Sequence, residues 1–203
     1  MLVGAIQRLQ LCVLQRHGKI GVEKRDILVD RVGEARDARE TFRSSLERFQ
    51  SVIDTPNTGL QKKYDTISEA YNKSVNAAKR VRDRIDSVEN VSVALFEEWE
   101  DELKLYKSAS LRENSERQLG ETRERYSSLM SRMHQVEKRM SPVLAAFEDQ
   151  VLFLKHNLNA QAIGALEGEL GQIRQNVDSL IRDMEASIAE SEAFIKSFRK
   201  GNA

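Results

Sequence analysis

Apolar residues recur along this chain at intervals of three and four, in four successive runs. The first runs Leu28, Val32, Ala35, Phe42, Leu46, Phe49, Ile53. The second runs Leu60, Tyr64, Ile67, Tyr71, Val75, Ala78, Val81, Ile85, Val88, Leu95, Trp99, Leu103, Tyr106. The third runs Leu119, Thr122, Tyr126, Leu129, Met133, Val136, Met140, Phe147, Val151, Leu154, Leu158, and the fourth Ile163, Leu166, Leu170, Ile173, Val177, Leu180, Met184, Ile188, Ile195, Phe198. Such spacing places each set on one helical stripe. No segment alternates with the period of two that a half-buried strand requires.

The interruptions set the element boundaries. DTPNTG, from Asp54 to Gly59, gathers turn and capping residues and ends one helix before the next begins. KSAS, from Lys107 to Ser110, marks a weaker break where the stripe lapses, and HNLNA, from His156 to Ala160, a weaker one still. Ser141-Pro142 has the form of a helix start, but the stripe passes through it in phase, so a kink is expected there rather than a turn. The pattern predicts helices near 22–54, 60–107, 111–157 (kinked near 141) and 160–199. A helix of 48 residues spans ~70 Å at 1.5 Å per residue. The fold class is therefore all-α: an elongated antiparallel bundle of long coiled-coil-like helices, with residues 20–203 as one domain. The acidic run EEWEDE (Glu97 to Glu102) is expected to face Arg112, Arg117, Arg123 and Arg125 across the second hairpin.

Residues 141–171, SPVLAAFEDQVLFLKHNLNAQAIGALEGELG, form the most apolar stretch. A membrane span needs ~20 mostly apolar residues, and Glu148, Asp149, Lys155 and Glu167 interrupt every window. Apolar side chains on more than one face, through Leu144, Phe147, Val151, Leu152, Phe153 and Leu154, are expected of the bundle centre. An exposed partner-binding face is the other reading. Gly164, Gly168 and Gly171 lie on one side of the following helix and would let a backbone approach closely.

Composition narrows the function classes. Lys+Arg and Asp+Glu each number 32 in 203 residues, so the net charge is zero and the surplus of cations that phosphate recognition needs is missing; no nucleic-acid partner is expected. The single cysteine, Cys12, leaves no intramolecular disulfide. Residues 1–19, within MLVGAIQRLQLCVLQRHGKIG, have a short apolar run broken by Arg8. They read as a short amphipathic helix or frayed arm, with a degenerate signal or anchor segment as the alternative. As written, the sequence points to the cytoplasm.

No chemistry-bearing motif emerges. There is no GxxxxGK[ST], so no phosphate-binding loop. His17, His134 and His156 stand apart, outside HExxH and ExxH spacings. His134, followed by Glu137 and Lys138, reads as part of a solvated face, and His156 as a helix-end residue near terminal carbonyls. The charged runs RVGEARDARE and RVRDRID mix signs at short spacing, which suits solvated faces. Lys79, Arg80, Arg82 and Arg84 form the best basic patch, diluted by Asp83 and Asp86. Trp99 lies on the stripe and reads as packing. No catalytic, cofactor-binding or metal-ligating residue is assigned, and none of these groups is expected.

The runs VEKRDILVDRVGEARDARETFRSSLERFQSVI, VRDRIDSVENVSVALFEEWEDEL and SPVLAAFEDQVLFLKHNLNAQAIGALEGELG resemble a bacterial family, the domain of unknown function 2959. The resemblance covers about residues 20 to 198. It implies a helical, coiled-coil-like protein of the Gram-negative envelope, with no established activity and no functional residues to carry over. Members often carry an N-terminal lipoprotein signal, from which residues 1–19 depart. The expectation is a non-enzymatic scaffold or interaction protein. It would bind a protein partner or itself through helical faces, with peripheral membrane contact through Leu2, Val3, Ile6, Leu9 and Val13 as the alternative.

Overall fold

The computed structural model describes the backbone of residues 3–54, 59–157 and 160–200, and the side chains of 24–53, 59, 61–157 and 171–198. Four helices account for nearly all of it: α1 (Val3–Asp54), α2 (Leu60–Leu103), α3 (Ala109–His156) and α4 (Ala160–Lys200). No described residue lies in a strand. Each helix packs on two neighbours, α1 on α2 and α4, α3 on α2 and α4, which closes a four-helix ring. Every neighbouring pair is antiparallel. Along α1 and α2, Ser45 meets Ser74 (3.4 Å), Glu34 meets Arg84 (3.0 Å) and Lys24 meets Glu98 (2.9 Å). Along α2 and α3, Arg82 meets Ser141 (3.1 Å) and Glu89 meets His134 (2.8 Å). Ser128 with Glu190 (3.0 Å) and Arg139 with Ser179 (2.8 Å) fix α3 on α4, and Gln50 with Asp178 (3.3 Å) fixes α1 on α4. The bundle is elongated: the 44 residues of α2 span about 66 Å at the α-helical rise.

The stripes form the core. Leu28, Val32, Phe42, Leu46, Phe49, Ile85, Leu129, Met133, Met140, Phe147, Leu180 and Met184 are all buried. Phe49 and Phe147 stack across the ring diagonal, centroids 3.6 Å apart and planes 9° from parallel. The turns follow local chemistry. Lys63 Nζ donates to the carbonyls of Val52 (2.9 Å) and Ile53 (2.6 Å), satisfying the end of α1 from the start of α2. Gly59 precedes α2 at φ 125°, a backbone conformation that disfavours any side chain. Ser108 caps α3, its Oγ accepting from Leu111 N at 3.4 Å. Asn157 ends α3 by donating its backbone N–H to the Phe153 carbonyl at 3.0 Å.

Several boundaries and faces differ from the sequence reading. α1 is continuous from Val3, so the helix does not begin near residue 22. α2 stops at Leu103, and Tyr106, expected on the stripe, is exposed in the turn. Val75 is exposed because the stripe runs through its neighbour Ser74, whose Oγ donates to Ala70 O (3.1 Å) on its own helix. On α4 Phe194 is buried while Ile195 is only half-buried. Residues 141–157 lead to one end of the bundle rather than its centre: Val143, Phe147 and Leu154 are buried, whereas Leu152 and Phe153 are exposed. The predicted contacts of Leu158, Ile163, Gly164, Leu166, Gly168 and Leu170 lie outside the described side chains. α3 continues through Pro142.

Candidate functional site

The end of the bundle where α2 turns into α3 has a small core of its own. Phe96, Trp99 and Leu119 are buried there, with Leu103 and Tyr126 packed against them. Trp99 Nε1 donates to Ser115 Oγ at 2.9 Å, so the hairpin is pinned from inside. The Arg25 guanidinium lies 4.0 Å from the Trp99 ring centre, which ties α1 to the hairpin by a cation–π contact. Phe96 meets Tyr126 edge-on at 5.3 Å, and the Ser92 and Tyr126 hydroxyls are 2.5 Å apart. Burial pushes the Tyr126 phenol above its ordinary pKa; the Ser92 hydrogen bond opposes this and the Glu89 charge adds to it. A hollow of about 170 Å³ opens beside Trp99, walled by Arg25, Thr122, Arg125 and Phe198.

The outer surface of the same end exposes three large apolar side chains among charged ones such as Lys104, Lys107 and Arg112. Leu105 is 49% exposed, Tyr106 42% and Leu111 58%. Acidic residues flank them. Residues 97–106, EEWEDELKLY, carry five carboxylates against one lysine. Glu97, Glu98 and Asp101 line an open groove of about 410 Å³ together with Lys24, Ala94 and Leu105. Of the four arginines expected to face EEWEDE, Arg123 reaches it, meeting Glu100 at 2.7 Å. Arg112 and Arg125 pair along α3 with Glu116 and Glu121, and Arg117 with Asn114.

The histidines are placed as follows. His134 is half-buried, not simply solvated. Its Nε2 meets Glu89 Oε1 at 2.8 Å and its Nδ1 meets Glu137 Oε2 at 3.1 Å. Burial favours the neutral ring, but the hydrogen bonds to Glu137 and Glu89 and the charges of both carboxylates outweigh it, so its pKa is raised. His156 is exposed in the last turn of α3, and His17 lies outside the described side chains. In the basic patch, Lys79 and Arg80 are solvent-exposed, Arg82 reaches Ser141 and Arg84 reaches Glu34. Among the described residues no three of His, Cys, Asp and Glu converge as a metal site, and no helix is long and apolar enough to cross a membrane.

One residue of RVGEARDARE departs from the solvated face assigned to that run. Arg39 is fully buried. The signal was the spacing: Ala35, Arg39, Phe42 and Leu46 follow the stripe, and position 39 fills its one gap.

The fold is thus an all-α, four-helix antiparallel bundle with a separately packed hairpin end. Residues 14–198 match the family described as protein of unknown function (DUF2959), and the chain belongs to it. No curated protein and no solved structure matches the chain.

Proposed function

We propose that this chain is a non-enzymatic helical interaction protein that docks a protein partner through the α2–α3 end of its bundle. The observation that carries the reading is the cluster of Leu105, Tyr106 and Leu111, exposed at one tip beside the acidic run 97–102. Contiguous exposed apolar side chains rimmed by polar ones mark interaction surfaces on soluble folds. The rim asks for a partner with an apolar face and basic flanks, such as a basic amphipathic helix. The inner pinning by Trp99, Ser115 and Arg25 supports this, since a rigid tip loses less entropy on binding. The family resemblance implies an envelope location, which we include in the proposal; the intact mass of the protein from its native host tests it.

A peripheral membrane contact is the competing reading, through residues 1–19. The acidic run 97–102 beside the tip favours a protein surface instead, because anionic lipid attracts cationic segments. The test is the double variant Leu105→Glu, Leu111→Glu. Both positions are exposed, so stability should change by less than about 0.5 kcal/mol each. Partner capture in the native host should be lost, while liposome co-sedimentation of the parent chain should match that of a variant lacking residues 1–19. Retained capture by the double variant refutes the tip as the docking surface.

A further inference from the structure

Arg39 enters the interior from α1 and is 0% exposed. Its Nη2 donates to Ser191 Oγ on α4, and Ser191 Oγ in turn donates to the Ser187 carbonyl at 2.9 Å. Among the described residues its Nε and Nη1 have no hydrogen-bond partner. Ser187, one turn before Ser191 on the same helix and also 0% exposed, has an Oγ with no partner either. Three buried polar atoms on two facing helices are therefore unpaired. Across the ring the same level holds small residues: the contacts Ser45–Ser74 and Glu34–Arg84 bracket Ala77 and Ala78 of α2, both buried.

A guanidinium taken out of water without a counter-charge is among the costliest groups a core can hold. Burial, and the like charge of Arg36, pull Arg39 down to about 10, which still leaves it cationic at neutral pH. Among the described residues no carboxylate is paired with it, and Arg36 is itself paired with Asp37 at 2.7 Å.

We infer that Arg39, with Ser187 Oγ, forms a buried site for one small monovalent anion of the halide class, held between α1 and α4. The guanidinium offers two free N–H edges and no acceptor, and the serine hydroxyl can turn its O–H toward the same anion. One positive charge balances one negative charge. A doubly charged oxyanion would need a second cation, and none is paired into the site. The anion completes the core rather than serving as a substrate, so it would couple the α1–α4 interface to the anion content of the surroundings.

The test uses the full chain in sodium chloride and, at matched ionic strength, in sodium gluconate, whose anion is too large for the core. Melting temperature should rise by about 3–5 °C per tenfold increase in chloride once the site is in its binding range, and gluconate should not reproduce the rise. Arg39→Met should remove the chloride dependence, and Ser187→Ala should weaken it while leaving the charge in place. Crystals soaked in sodium bromide should show an anomalous peak against Arg39 Nε or Nη1. Identical melting curves in chloride and gluconate overturn the inference. So does an undiminished chloride response in either variant, or ordered water without bromide at Arg39. Should the methionine variant not fold, the parent comparison and Ser187→Ala still decide.

Discussion

Replacing Phe147 with alanine removes the α3 half of the diagonal stack with Phe49. Both rings are fully buried, and they lie on helices that are not neighbours in the ring. A buried Phe→Ala change costs ~3–5 kcal/mol, from lost transfer energy plus the cavity left behind. The parallel arrangement at 3.6 Å is not the geometry that ring electrostatics prefer, so at most ~0.5–1.5 kcal/mol of that belongs to the aromatic pair itself. Burial therefore dominates, and Phe147→Leu should cost less than about 1.5 kcal/mol. For a chain of this length each kcal/mol moves the melting temperature by about 2–4 °C. Thermal unfolding followed by circular dichroism should then show Phe147→Ala lowered by about 6–20 °C. A double-mutant cycle with Phe49→Ala should give a coupling near 0.5–1.5 kcal/mol. A fall of under about 2 °C for Phe147→Ala, at unchanged helicity, would refute the reasoning, because no well-packed core absorbs such a cavity freely.

The other expectations are local. Gly59→Ala should cost about 1–3 kcal/mol in chemical denaturation, since φ is 125° there and nothing crowds the site, leaving backbone strain as the sole cause. Gly120→Ala, in mid-α3 with open space around an added Cβ, should raise stability by about 1 kcal/mol in the same assay. Trp99→Phe should lose the Ser115 hydrogen bond and weaken the Arg25 contact, at about 1–2 kcal/mol. Trp99 is the single tryptophan, so native fluorescence should be blue-shifted and should report on the hairpin end alone. His134 has a folded pKa raised above its ordinary 6.5. Its stabilising contribution is fully present below about 6.5 and fades as pH climbs through the raised folded value. The melting-temperature gap between the parent and His134→Gln should accordingly be larger at pH 6 than at pH 8.5; a gap that grows with pH contradicts the assigned contacts.

The bundle was legible because its apolar stripes are long. Few breakers compete with them, and DTPNTG is dense in turn chemistry. What escaped was the part that tertiary packing decides. Arg39 carries a charge in a position whose spacing marks it as interior, and composition outweighed spacing there. Val75 and Ser74 exchanged places because a serine can back-bond to its own helix and enter the core, as Ser74 does to Ala70. Tyr106 fell off the stripe because α2 ends at Leu103, and helix ends are where periodicity says least. Arg112 and Arg125, expected to face the acidic run, pair instead with carboxylates four residues away on α3. The hairpin tip could not be read as a surface until the turn at 104–108 placed Leu105 and Leu111 on the same end of the bundle.

Site-specific photo-cross-linking in the native host tests the interaction role most directly. A cross-linking side chain at position 111 should yield one discrete, ultraviolet-dependent adduct of defined mass, and one at Asn72, an exposed residue on α2 away from the tip, should yield none. Absence of any adduct at 111, or equal adducts from both positions, would contradict docking through the α2–α3 end.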